Sequence, residues 1–329
     1  MLKQLRLIFD ADYKPPLVVC WGKGVDSTAV LVGLHQRGVR PDMILFADVG
    51  SEKRATREYN IDWWFDKVGF PRPVSVRYQP KNYKNWPHYH TLKENCLTNV
   101  TLPSIAYGRK SCSSKWKISP MNTHLDEWGP AQECWTLGYK VRKAIGFEDS
   151  PHEHKRREKG CATFAVQDDE VEKYDLWFPL QEWHWDRDRC KEEILSAGLK
   201  LPVKSSCYFC TAMKPEEVEE LEESELWDII IMEARTRDRH LNYAEAKGWP
   251  NGVGIPLTEG LWRKSVKGMR GAIPHPGSIT EYIKQKELLP VDQVNKVIAA
   301  VPTVAFTKDT LGFDNWSDWI TKLLRGALL

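Results

Sequence analysis

Val18-Val19-Cys20-Trp21-Gly22-Lys23-Gly24-Val25-Asp26-Ser27-Thr28-Ala29-Val30-Leu31 runs apolar, breaks at two glycines and resumes with helical spacing. It reads as strand, phosphate loop, helix. Gly22 and Gly24 let the backbone turn tightly and aim N–H groups at an anion, and Ser27 and Thr28 are placed to cap a helix whose dipole favours phosphate. A Walker loop closes on Gly-Lys-Ser/Thr, and a dinucleotide loop reads Gly-x-Gly-x-x-Gly with an acid about 20 residues on. Ser27 stands at the third glycine position, so the stretch matches neither.

Outward from the loop, Val30, Leu31 and Leu34 predict a helix from Ser27 to Arg37 that Gly38 closes. Met43 to Ala47 is an unbroken apolar run of the kind buried parallel strands show. Strand, helix, strand implies a right-handed crossover. Asp48, Gly50 and Glu52 then fall at a strand's carboxyl end, where open α/β sheets bind ligands, and are expected to face the same crevice as the loop. Thr56 to Val68 reads as a helix, Val74 to Tyr78 as a third strand, and Gln79 to Thr101, without period, as a long functional loop containing Cys96. Cys134 to Gly138 is expected to be a fourth strand, Glu148 to Lys173 a charged surface loop, and Asp186 the cap of a helix running to Leu195. The fold class that follows is α/β: an open, mostly parallel sheet with helices on both faces, spanning 1–213, and a smaller, mainly helical region over 214–329. In the latter, Pro215 opens a helix with seven Glu between Glu216 and Glu225, and the basic cluster Arg235, Arg237, Arg239 and His240 reads mainly as a solvated end.

The chain has 329 residues, 47 basic and 45 acidic side chains and a net charge of +2, so no global field argues for nucleic acid or membrane and any anion site is local. Mean hydropathy is −0.50, with no run near the ~20 apolar residues of a membrane span. Lys3 and Arg6 precede an apolar stretch that Asp10 interrupts too soon for a signal peptide, which predicts a cytoplasmic protein. The 15 tryptophans are read as core and stem-packing aromatics, with base stacking as the lesser alternative.

Eight cysteines in a chain of this length do not suggest a disulfide scaffold. Cys207-Tyr208-Phe209-Cys210 is a Cys-x-x-Cys knuckle, whose spacing lets two sulfurs reach one metal; the distant Cys112 and Cys96 are the candidates to complete it. A redox disulfide between Cys207 and Cys210 is the other reading. Between Tyr107 and Pro120, Arg109, Lys110, Lys115 and Lys117 put four cations beside Cys112, suggesting a phosphate or sulfate clamp or else a solvated helical face.

Gly22 to Ser27 resembles the Ser-Gly-Gly-x-Asp-Ser pyrophosphate loop of the adenine nucleotide α-hydrolase superfamily, departing at Gly22, usually Ser, and Lys23, usually Gly. Cys112 to Pro120 and Cys207 to Cys210 resemble segments of its phosphoadenylyl-sulfate (PAPS) reductase family, and Gly146 to Arg156 is loosely similar to that family's Gly-x-Arg-x-x-Glu-Ser turn, with Phe147 at the arginine. The resemblance implies that Gly22, Lys23, Gly24, Val25, Asp26, Ser27 and Thr28 hold nucleotide phosphates, with Asp48, Gly50 and Glu52 near the adenosine and Arg109, Lys110 and Gly138 adding contacts. It implies ATP or an adenylyl-sulfate as ligand, with Asp26 orienting Mg²⁺ or ribose and Asp26, Lys23 and Lys115 as catalytic groups. It also implies a [4Fe–4S] cluster, or zinc, on Cys96, Cys112, Cys207 and Cys210; Ser113 replaces the second cysteine of the family's doublet. No cysteine follows Cys210, so the family's carboxyl-terminal catalytic cysteine is missing. That moves the expectation from a PAPS reductase or sulfotransferase toward an enzyme that adenylates an acceptor, a nucleic acid or a small molecule, with pyrophosphate release, and draws on a sulfur-donor protein. A catalytically inactive nucleotide sensor or nucleic-acid-binding protein is the alternative of another class.

Overall fold

The computed structural model describes residues 13–103, 105–106, 109–164, 168–246, 260–262, 266 and 274–329. The described residues fall into two compact units that interleave along the chain: one within Met1–Ala47, Arg54–Val76 and Ser119–Ser205, the other within Asp48–Lys53, Arg77–Ile118 and Ser206–Leu329.

The first unit holds the sheet. Its strands are β1 (Leu17–Cys20), β2 (Met43–Ala47), β3 (Val74–Val76), β4 (Val141–Ile145) and β5 (Tyr174–Trp177), ordered β3-β2-β1-β4-β5 and all parallel. β1 is central: Val19 lies opposite Ile44 on one side and Ala144 on the other. Side chains alternate across a strand, so neighbouring residues enter different cores. Val19, Ile44 and Ala144 pack with helix α1 (Val25–Gln36) and with Ile194 of the helix Arg187–Ser196. Val18, Leu45 and Val141 pack with Leu125, Ala131 and Cys134 from helices on the opposite face. The expected α/β architecture is therefore present, with helices around an all-parallel open sheet.

Several local expectations are corrected. Ser27 and Thr28 do not cap α1, which starts at Val25 on an N-cap, Gly24, that no side chain caps. Thr28 instead accepts a hydrogen bond from Trp21 Nε1 at 3.1 Å. The helix expected over Thr56–Val68 is two helices, Arg54–Glu58 and Asp62–Val68. Cys134–Gly138 is not a strand: Gly129–Thr136 is helical with Pro130 in its first turn, and Gly138, at φ +84, follows its end. Cys134 is buried there as a helix-face residue, an apolar position that reads equally well in either period. The charged stretch after Glu148 is largely helical, Pro151–Phe164 and Asp168–Lys173. Asp186 caps the helix Arg187–Ser196 as expected, accepting from the Arg189 N–H at 2.8 Å.

The second unit is mainly helical around one core that includes Cys96, Trp116, Phe209, Trp227, Ile230 and Trp316. The stretch 79–101, expected as a loop, contains the helix Leu92–Thr98, opened by a Thr91–Glu94 capping box. Pro215 opens only the short helix Pro215–Glu219, and the long helix Glu223–Ala246 starts separately. Far from forming a solvated end, Arg235 is fully buried, donating to the carbonyls of Leu97, Pro302 and Val304 at 2.9 to 3.1 Å. The side chains of Arg239 and His240 lie outside the described residues. No described helix is long and apolar enough to cross a membrane.

Candidate phosphate-binding turn and cysteine knuckle

The glycine turn joins the carboxyl end of the central strand to the amino end of α1, where the positive end of the helix dipole lies. Ser27 folds back into the turn, its Oγ accepting from Gly22 N at 3.1 Å and donating to Gly24 O at 3.2 Å. Two glycines are closely approached, Gly24 by a side-chain hydroxyl that can turn away and Gly146 by backbone that cannot. A Cβ on Gly24 would stand 2.6 Å from Ser205 Oγ, and one on Gly146, just after β4, would stand 2.6 Å from Ser27 N. The first turn of α1 is thus clasped by the backbone that leaves β4.

Lys23 has φ 57, the left-handed conformation that glycine adopts freely. A residue with a long side chain therefore stands where the turn takes glycine's conformation. The ammonium donates to Arg57 O at 3.2 Å and lies 4.9 Å from the Phe46 ring centroid. At this position Lys23→Gly is expected to be about 1 kcal/mol more stable than Lys23→Ala, the reverse of the order at a right-handed site. Denaturant midpoints of the two variants check it; equal or inverted midpoints would mean that residue 23 is not held left-handed in solution.

Asp26 is 2.9 Å from Arg187 Nη1, and Arg187 Nε is 2.7 Å from Glu148 Oε2. These two oxygens, Asp26 Oδ1 and Glu148 Oε2, are ion-paired but have no well-directed hydrogen bond. Burial pushes the Asp26 carboxyl up to about 6, Arg187 opposing and Glu148 and Glu153 reinforcing the shift. Because the folded value lies above the ordinary one, near 4, the folded state binds the proton more tightly between pH 4 and 6. Stability relative to Asp26→Asn should therefore fall as pH rises through that window, by up to about 3 kcal/mol. Paired urea titrations at pH 4.5 and 7.5 measure it, and a pH-independent difference would overturn the assignment.

In the second unit, Asp48 accepts from Gly50 N at 2.8 Å and pairs with Arg77. Gly50 lies at φ +67, its α-carbon against Thr91. Glu52 is buried and turned inward, accepting from Val49 N at 3.0 Å and Ser51 N at 3.1 Å. The acidic turn thus closes on itself. Its backbone also holds the knuckle: Glu52 bridges Cys207, and Ser51 O accepts from Tyr208 N at 3.2 Å. The helix carrying Cys96 is tied to the same turn through Leu92 N to Val49 O at 3.0 Å.

Tyr208 inside the knuckle donates to Asp228 Oδ2 at 2.7 Å, and Lys93 Nζ reaches that oxygen at 2.9 Å. Cys112, Cys207 and Cys210 pack against the core that contains Cys96. Burial pushes the Cys207 thiol well up, Lys117 opposing and Glu52, Cys210 and Cys112 adding to it; Cys96 is raised by burial and then by Cys112. The four thiols lie in or against this one core, and thiolate is a donor that suits iron–sulfur or zinc by its softness. Among the described residues, however, no three His, Cys, Asp or Glu side chains are arranged to hold a metal ion. Lys115 lies exposed, 4.9 Å from the Tyr78 ring. The side chains of Arg109 and Lys110 lie outside the described residues, and Gly138 belongs to the turn after a helix.

Three side chains around the glycine turn are not legible in the one-dimensional pattern: Arg187, Asp149 and His184. The signals that point toward them are the Asp186 cap and the Gly146–Arg156 stretch. No family model matches the chain, and no curated protein matches it.

Proposed function

We propose that the chain is an adenine-nucleotide enzyme similar to the PAPS reductase family, splitting ATP between the α- and β-phosphates to adenylate an acceptor in sulfur transfer. One observation carries this reading: a glycine turn at the end of the central parallel strand, with residue 23 left-handed and the helix N-terminus uncapped by any side chain. The turn's N–H groups and the α1 dipole would receive the pyrophosphate, and Mg²⁺ would neutralise charge on the leaving group. Arg187 is the cation next to that turn, able to exchange Asp26 for a phosphate oxygen.

Cys112, Cys207 and Cys210, with Cys96, are the thiols that would take a [4Fe–4S] cluster or zinc, drawn together by the metal; such a group supplies redox or sulfur-handling chemistry when bound. Anaerobically purified protein is expected to carry metal that Cys207→Ser releases; equal metal in both would return the knuckle to a purely structural role.

The functional test is AMP and pyrophosphate release from Mg·ATP, alone and with added nucleic acid. Release supports the reading, and stimulation by nucleic acid identifies the acceptor class. Turnover of an adenylyl-sulfate in place of ATP favours the reductase or sulfotransferase reading. Tight adenylate binding without turnover favours a nucleotide sensor.

A further inference from the structure

Beside the phosphate turn, one carboxylate holds two imidazoles. Asp149 Oδ1 is 2.6 Å from His154 Nε2, and Asp149 Oδ2 is 3.2 Å from His184 Nδ1. The backbone of Asp149 is fixed as well, its N–H donating to Trp185 O at 2.8 Å. The two histidines differ in exposure: His184 is 85% exposed and His154 38%. His184 also sits at φ 55, a left-handed strain that a non-glycine residue adopts rarely and that accompanies functional positions.

The pair is linked to the glycine turn through its sequence neighbours. Arg187, three residues after His184, touches Asp26 of α1, and Glu148, next to Asp149, touches Arg187. His184 follows β5 and Asp149 follows β4, so both stand at the carboxyl end of the parallel sheet, beside the turn after β1.

A carboxylate only accepts hydrogen bonds, so Asp149 requires the proton of neutral His184 on Nδ1 and leaves the lone pair on Nε2. We infer that His184 is the general base of this site, with Asp149 and His154 as its positioning residues. This rests on the adenylyl-transfer reading above. The nucleophile is a protic oxygen, an acceptor hydroxyl or, in its absence, water. Its oxygen bonds to the α-phosphorus as the bond from that phosphorus to the bridging oxygen breaks. Pyrophosphate leaves with that oxygen's electron pair, and the nucleophile's proton passes to His184 Nε2. The positive imidazole is then stabilised by Asp149, the division of labour of a carboxylate–histidine pair.

The charged groups around the pair come from three directions. Asp149 and Glu148 lie on the turn after β4, with His152, Glu153, His154 and Arg156 on the helix that follows. Asp26 lies on α1, and Arg187 on the helix after His184. His154 holds the Asp149 carboxyl below its ordinary range, with His184 adding to the effect.

The test uses the full chain and Mg·ATP, following AMP and pyrophosphate from pH 5.5 to 9. His184→Asn keeps a side chain that tolerates left-handed backbone and still donates to Asp149, but cannot take the proton. It should lower kcat about 100-fold with KM for ATP within about twofold, and should lose the acidic limb of the wild-type profile. Asp149→Asn should lower kcat about tenfold and shift that limb. His184→Gly opens the position, and added imidazole should restore part of its turnover. A His184→Asn enzyme with wild-type kcat and an unchanged acidic limb overturns the base while leaving the function intact. A wild-type chain that neither binds nor cleaves ATP overturns both.

Discussion

Gly146→Ala is expected to lose about 3 kcal/mol of stability and, in the fraction that folds, most of its nucleotide affinity. The added Cβ would lie 2.6 Å from Ser27 N, 2.7 Å from Asp26 C and 2.8 Å from Ser27 Cα. All three neighbours are backbone atoms, so no rotamer change relieves the overlap. The end of β4 and the first turn of α1 must separate, and that turn is where the phosphate is proposed to bind. Urea unfolding followed by tryptophan fluorescence reads the stability, and ATP titration reads the site. Gly160→Ala is the matched control, since its Cβ meets nothing within 4 Å inside the helix Pro151–Phe164. That variant should gain up to about 1 kcal/mol. A Gly146→Ala protein as stable as wild type would show that the close approach does not persist in solution.

Glu233→Gln is the second large effect, in the other unit. Glu233 Oε1 accepts from Leu261 N at 2.6 Å and Ile279 N at 3.0 Å, and Oε2 from Ser278 Oγ at 2.6 Å and Thr280 N at 2.8 Å. The carboxylate is buried and satisfied by four donors on residues 28 to 47 positions away in sequence. Glutamine presents an amide NH₂ where one of these oxygens stood, so two donors face a donor in a dry site. A loss of about 3 kcal/mol is expected. Ser278→Ala removes one of the four donors and should lose about 1 kcal/mol. A Glu233→Gln variant within about 1 kcal/mol of wild type would mean that water enters and replaces the acceptor.

How much of this was readable beforehand varies with how local the cause is. The apolar runs at Leu17–Cys20 and Met43–Ala47, the glycine turn between strand and helix, the closing Gly38 and the Asp186 cap are all visible in a few consecutive residues. The helix at Gly129–Thr136 escapes a local reading because Cys134, Trp135 and Leu137 suit both a short strand and one helix face. The helix Pro151–Phe164 was hidden by its charge, although Glu153 is buried within it. Cys96 and the knuckle are both tied to the Val49–Glu52 turn, a role that no spacing rule announces.

By itself the sequence determined the strands β1, β2 and β3 and the places where the backbone turns, at Gly22–Gly24 and Gly38. These are properties of φ, ψ and burial over neighbouring residues. Only the tertiary structure decided that Gly146 clasps α1, that Asp26 pairs with Arg187 161 positions away, and that Asp149 holds His154 and His184 together. A polar side chain carries the capacity for a partner in its own chemistry, but which donor or charge meets it depends on the order in which strands and helices pack.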